Sequence, residues 1–130
     1  MSEENPREAL ARVSRNLKHF TAEITTVRDE DGLRVSLGGY LDGDAANTVM
    51  TPLSDLVMTW AGAPRFVVDL SKLEYISSLG IGMLTTLAVS AHRRSMTMTL
   101  CEPQPSVLHV LELLGIPQYI PVIPCEKDGA

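Results

Sequence analysis

The 130-residue sequence predicts an α/β domain, a mixed sheet of four to five strands with helices packed mainly on one face. Three observations carry this. The periodicities run in the order β-β-α-β-α-β-α with a weak final strand, and short right-handed crossovers turn that order into a mixed sheet. The first two strands are joined by Arg28-Asp29-Glu30-Asp31-Gly32, a turn with hairpin chemistry, so they pair antiparallel. Phe66-Val67-Val68 is a short apolar run without polar alternation, which predicts a strand buried on both faces in the middle of the sheet.

Taken in order, Asn5-Pro6 supplies an N-cap and first helical residue, and Leu10, Val13 and Leu17 recur at helical spacing among charged residues. The expected product is a short amphipathic helix within an N-terminal extension, residues 1–18, that packs loosely on the domain; a dimer or partner contact is the sharper alternative. Alternation from Phe20 to Val27 and again over Leu33, Val35 and Leu37 gives the two antiparallel strands. Asp44 is expected to cap a helix reaching Trp60. Pro52 inside that pattern predicts either a start at Thr51-Pro52 or a kink, because an interior proline costs about 3 kcal/mol. After the central strand and its polar connection, a helix runs to about His92-Arg93-Arg94, where cations suit the dipole. Met96, Met98 and Leu100 alternate as a further strand. Pro105-Ser106 opens a last helix ended by Gly115, and the proline-rich stretch to Ile123 suits only a short edge strand. The domain is expected over 19–124, with a flexible tail at 125–130.

Composition bounds the function. One domain of this length buries about two-thirds of its unfolded surface without staples. Sixteen acidic against 11 basic residues give a formal charge of -5, which repels phosphate backbones, so no direct nucleic-acid partner is expected. The start lacks an apolar signal region, and no stretch reaches the ~18 apolar residues of a membrane span, so no membrane association and a cytoplasmic location are expected. Cys101 and Cys125 could pair, but a core thiol and a surface thiol are the expectation. His19, His92 and His109 have no metal-site spacing, and no imidazole is within reach of Ser71 or Ser78 for a triad. No metal, cofactor or catalytic residue is expected, and the chain is not read as an enzyme.

The chemistry concentrates where the central strand meets the next helix. Ser77-Ser78 stands directly before the apolar pattern Leu79, Ile81, Met83, Leu84, Leu87. Either serine can cap the helix, whose free amides favour an anion. Gly80 and Gly82 each cost up to ~1 kcal/mol against alanine, so their presence in the first turn predicts a close approach to the backbone.

Residues Asp69 to Leu84, D-L-S-K-L-E-Y-I-S-S-L-G-I-G-M-L, resemble the signature of the STAS domain, most closely that of bacterial anti-sigma factor antagonists. Gly39-Tyr40-Leu41-Asp42 is similar to the family's G-x-L-D element, which in relatives lies beside a phosphorylatable serine. The resemblance covers about Phe20 to Ile123 and implies the STAS fold. It implies that Ser78, with Ser77 as the alternative, is phosphorylated by a partner that is both serine kinase and anti-sigma factor, and reset by a serine phosphatase. The chain departs from the usual antagonist in having Ser77 where an acidic residue precedes the phosphoacceptor, and Leu79 where a small residue is common. The implied partner surface comprises Asp42, Asp44, Ser77, Leu79, Gly80, Ile81, Gly82 and Met83, on a monomer or weak dimer. The alternative is a STAS adaptor, never phosphorylated, that scaffolds a signalling assembly; a small-molecule sensor is a third reading.

Overall fold

The structure, a computed structural model, describes residues 4–124. The chain folds as α1 (Pro6–Arg15), β1 (Phe20–Ile24), β2 (Leu33–Leu41), α2 (Gly43–Thr59), β3 (Arg65–Ile76), α3 (Ser78–Arg93), β4 (Thr97–Cys101), α4 (Pro105–Leu113) and β5 (Val122–Ile123). The strands form one sheet in the order β1-β2-β3-β4-β5. β1 and β2 are antiparallel and the remaining neighbours parallel, as the sequence predicts.

The core lies between one sheet face and the helices. Phe20 and Ala22 of β1, Leu33, Val35 and Leu37 of β2, Phe66, Val68 and Leu70 of β3, and Met98 and Leu100 of β4 are all buried. Val49, Leu53, Leu56 and Val57 of α2 and Leu84 and Leu87 of α3 meet them. Along the intervening positions, Glu23 is exposed and Arg34, Val67, Asp69 and Thr99 are half-buried. The expectation that β3 is buried on both faces is therefore corrected. Each crossover from β2 to β4 steps the same way across the sheet, so right-handed connections lay α2 and α3 on one side; the other face is less buried, although Ser36 and Cys101 on it are covered.

β3 also runs longer than its sequence suggests. The polar stretch after Asp69, expected as a connection, is strand to Ile76, with Leu73 and Ile76 buried and Ser71, Lys72, Glu74 and Tyr75 exposed. The alternation is broken because the pairing with β2 shifts register between Ser36 and Gly38 and again between Gly39 and Tyr40. Gly39 makes this possible: its φ is +81°, and a side chain there would run into the His19 carbonyl. Beyond the end of β4, α4 takes over the free edge of β3. The Gln104 amide donates to the Ser71 carbonyl at 3.0 Å, and the Ser106 hydroxyl to that of Glu74 at 3.5 Å.

Four further expectations are revised. α1 does not pack loosely: Leu10 is fully buried, and the helix rests on α2 and β1. α2 starts well before Pro52, which sits buried inside it; its packing outweighs the helical hydrogen bond the proline cannot donate. Its cap is Asp42, not Asp44, since β2 pairs up to Leu41 and the helix begins immediately after. Cys101 is disulfide-bonded and not the expected thiol. Cys125 and the tail expected over 125–130 lie outside the described residues.

Arg94 ties the far ends of α2 and α3 together, its guanidinium donating to the carbonyls of Val57 at 3.0 Å and Trp60 at 2.6 Å. Both carbonyls lie at the α2 C-terminus, where a cation is favoured, and that of Val57 also accepts the Trp60 N–H at 3.4 Å.

Candidate functional site

The parallel strands β2 and β3 end side by side, with Leu41 paired to Ile76 and the Ser77 N–H donating to the Leu41 carbonyl at 2.9 Å. Each then turns straight into a helix, so two helix N-termini stand together at the carboxyl edge of the sheet. Ligand and partner sites of open α/β sheets favour this edge.

The two starts are built alike. Asp42 Oδ1 accepts from the Ala45 N–H at 2.9 Å, and Ser77 Oγ accepts from the Gly80 N–H at 3.1 Å. The cap carbonyls accept from Ala46 and Ile81, both at 2.9 Å. This leaves the amides of Gly43 and Asp44 in α2, and of Ser78 and Leu79 in α3, without a partner inside their own helix. The α2 end already carries Asp42 and Asp44, both exposed, whereas the first turn of α3 holds no acidic residue.

The structure distinguishes the two serines. Ser77 is half-buried and occupied as the cap. Ser78 is the first helical residue, exposed, and its hydroxyl makes no hydrogen bond among the described residues. Leu79 is 55% exposed and lies over the start of α2, where a Cβ on Gly43 would come within 2.9 Å of its Cδ1.

The remaining residues implied as partner contacts divide by helical phase. Gly82 is exposed, with nothing within 4 Å of where its Cβ would stand. Gly80 is buried, and a Cβ there would approach Ile76 Cγ1 to 2.8 Å and Leu41 Cγ to 2.9 Å. Its close approach is thus to its own strands. Ile81 and Met83 are buried at 8% and 4% exposure, so they do not form the exposed surface expected of them. With Leu84, Leu87 and Ala91 they make the inward face of α3. Asp69 Oδ1 accepts from the Ser71 N–H at 2.9 Å, a local contact to its own strand's backbone.

Sequence reasoning missed an exposed aromatic line beside this edge. The rings of Tyr40 and Tyr75 lie 6.0 Å apart, each residue 47% exposed, and His19 meets Tyr40 edge-on at 6.4 Å. The available signal was their position, one residue before the buried strand ends Leu41 and Ile76. A shallow cavity of about 310 Å³ adjoins them, lined by Leu17, Lys18, His19, Tyr40, Asp42 and Asp44 among others.

Among the described residues no three His, Cys, Asp or Glu side chains gather as metal ligands, and no helix is long and apolar enough to cross a membrane. The chemistry on offer at the edge is an exposed hydroxyl, unpaired amides and a small apolar anchor.

The family model of the STAS domain matches residues 23–129. BtrV of Bordetella bronchiseptica, described as an anti-sigma factor antagonist, is 36% identical over 69 residues, which are 53% of this chain and 60% of that protein. The chain thus spans about three-fifths of that relative's length. Among solved structures, the Bacillus anti-sigma factor antagonist SpoIIAA in its unphosphorylated form superposes with a TM-score of 0.68 at 17% identity, over 83% of this chain and 90% of that one. SpoIIAA in its phosphorylated form gives 0.60 at 15%, over 83% and 93%. An anti-sigma factor antagonist from Mycobacterium paratuberculosis gives 0.66 at 22%, over 84% and 89%. These share the fold, and with the matched model over most of its length the chain belongs to the STAS domain family.

Proposed function

We propose that the chain is an anti-sigma factor antagonist that binds an anti-sigma factor kinase through the paired helix N-termini and is switched off by phosphorylation of Ser78. The observation that carries this reading is the division of labour between the serines: Ser77 is engaged as the cap, while Ser78 offers an exposed hydroxyl beside it. The likeness to BtrV and to SpoIIAA, solved in both unphosphorylated and phosphorylated forms, supports it.

The chemistry is phosphoryl transfer. Ser78 Oγ attacks the γ-phosphorus of ATP held by the kinase, the new O–P bond forms as the bond to the β-phosphate oxygen breaks, ADP leaves, and the hydroxyl proton passes to a base of the kinase. A serine phosphatase reverses the modification by hydrolysis. The product carries about -1.5 to -2 charge at a helix end whose unpaired amides and dipole favour it, so the fold survives. Binding does not. The dianion sits within the surface made by Leu79, Gly82 and the α2 start, close to Asp42 and Asp44, where like-charge repulsion and desolvation oppose the partner. Gly80, Ile81 and Met83 support this surface from beneath.

The test pairs phosphopeptide analysis of protein isolated in growth and under stress with binding to the co-purified partner. Ser78→Asp is expected to weaken binding by about tenfold or more, roughly 1.4 kcal/mol, and Ser78→Ala to bind permanently. Undiminished binding by Ser78→Asp sinks the switch. No phosphate in any condition, with a partner that lacks a kinase fold, favours the adaptor reading instead.

A further inference from the structure

Helix α3 turns outward a face with no charged residue from Ser78 to Ala91. Leu79 and Val89 are 55% and 53% exposed, and Gly82 and Thr86 lie exposed between them at helical spacing. A solvated helix face ordinarily carries charge, as the outer side of α1 does with Arg7, Glu8, Arg12 and Arg15.

Charge returns at the two ends of this face, with opposite signs. At the amino end stand Asp42 and Asp44, flanking Gly43 where Leu79 lies over it; at the carboxyl end stand His92 and Arg93, both exposed. Sixteen residues of α3 separate the ends by about 24 Å. The geometry points to a second copy of this chain as the occupant, in an antiparallel two-fold contact of α3 against α3. There Leu79 of each copy meets Val89 of the other, Gly82 lets the axes approach, and Asp44 of each faces Arg93 of the other. Two-fold symmetry makes every such pair twice, so one complementary pair of ends serves both sides. A parallel arrangement sets like charges together and is disfavoured. One helix pair covers little area, below about 1,200 Å², so the dimer is weak and concentration-dependent. On the reading proposed above, and only there, this dimer covers Leu79 and Ser78 and competes with the kinase.

Sedimentation velocity on the full chain, from about 1 µM to 1 mM, tests it. The sedimentation coefficient is expected to rise with concentration. Arg93→Asp and Asp44→Arg should each weaken association about tenfold, and the two together should restore it. Val89→Glu, at an exposed site that leaves thermal unfolding unchanged, should abolish it. A monomer across the whole range, or charge reversals that leave association unaltered, overturns the proposal. Either result leaves the Ser78 switch standing, and association through a different surface appears as a dimer indifferent to Val89→Glu and likewise overturns it.

Discussion

The starts of α2 and α3 are near copies in backbone and differ in charge. Both follow the ends of paired parallel strands, and both satisfy their third and fourth amides from a cap residue at 2.9 to 3.1 Å. At α2 the cap is a carboxylate with a second carboxylate two residues on; at α3 it is a hydroxyl, followed by an exposed hydroxyl and no acid. One positive helix end therefore already carries carboxylates, and its neighbour presents an exposed hydroxyl and no acid. On the function proposed above, the same local geometry serves a fixed terminus at α2 and a switchable one at α3, and side-chain chemistry alone makes the difference.

The strongest way to break this comparison is at the glycines of α3. Gly80→Val should cost about 3 kcal/mol, because the added carbons meet Ile76, the Leu41 side chain and the Leu41 carbonyl, the last 3.0 Å from the first of them. Gly82→Ala meets nothing and should gain about 0.5 to 1 kcal/mol from helix propensity. Urea unfolding of both variants checks this. Equal responses mean that α3 does not pack on the strand ends as described.

The caps come next in size. Asp42→Ala should lose about 1.5 to 2 kcal/mol, combining a lost cap with a lost charge at the dipole, and Ser77→Ala about 1 kcal/mol. The difference should shrink in 1 M salt, which screens only the charge. Thermal melts at low and high salt separate the two contributions, and a difference that persists unchanged argues against an electrostatic origin. Arg94→Ala belongs with these, at about 1.5 kcal/mol, since it strips the α2 C-terminus of two hydrogen bonds from a charged donor.

Much of this was legible in the sequence because it rests on local periodicity. The hairpin, the parallel crossovers, the Asn5 cap, the Gly115 stop and the short β5 edge all follow from residues close together in the chain. What was not legible depends on register between distant strands. The extension of β3 to Ile76 requires the shift at Gly38 and Gly39 of β2, about 35 residues away, and without it the polar residues Ser71 to Glu74 read as loop. The same extension fixes where α3 begins, and hence which serine caps and which is exposed. The inward turn of Ile81 and Met83 was hidden for a related reason. An apolar residue in a first helical turn reads equally well as contact surface or as core until the strand beneath it is located.

The smallest expected effect on stability is the most informative for the switch. Ser78→Asp places a carboxylate at the first position of α3, where the side chain is exposed and the amides of Ser78 and Leu79 have no partner within the helix. Attraction to the dipole contributes about 0.3 to 1 kcal/mol at low salt, and the weaker helix propensity of aspartate takes back a few tenths. The melting temperature should therefore stay level or rise by about 1 to 3 °C, while partner binding falls by the larger factor given above. A drop of about 5 °C or more means that charge at Ser78 loosens the helix start itself. In that case α3 is no better prepared for an anion than the already occupied start of α2, and any switch at this serine works through unfolding and not through repulsion at the surface.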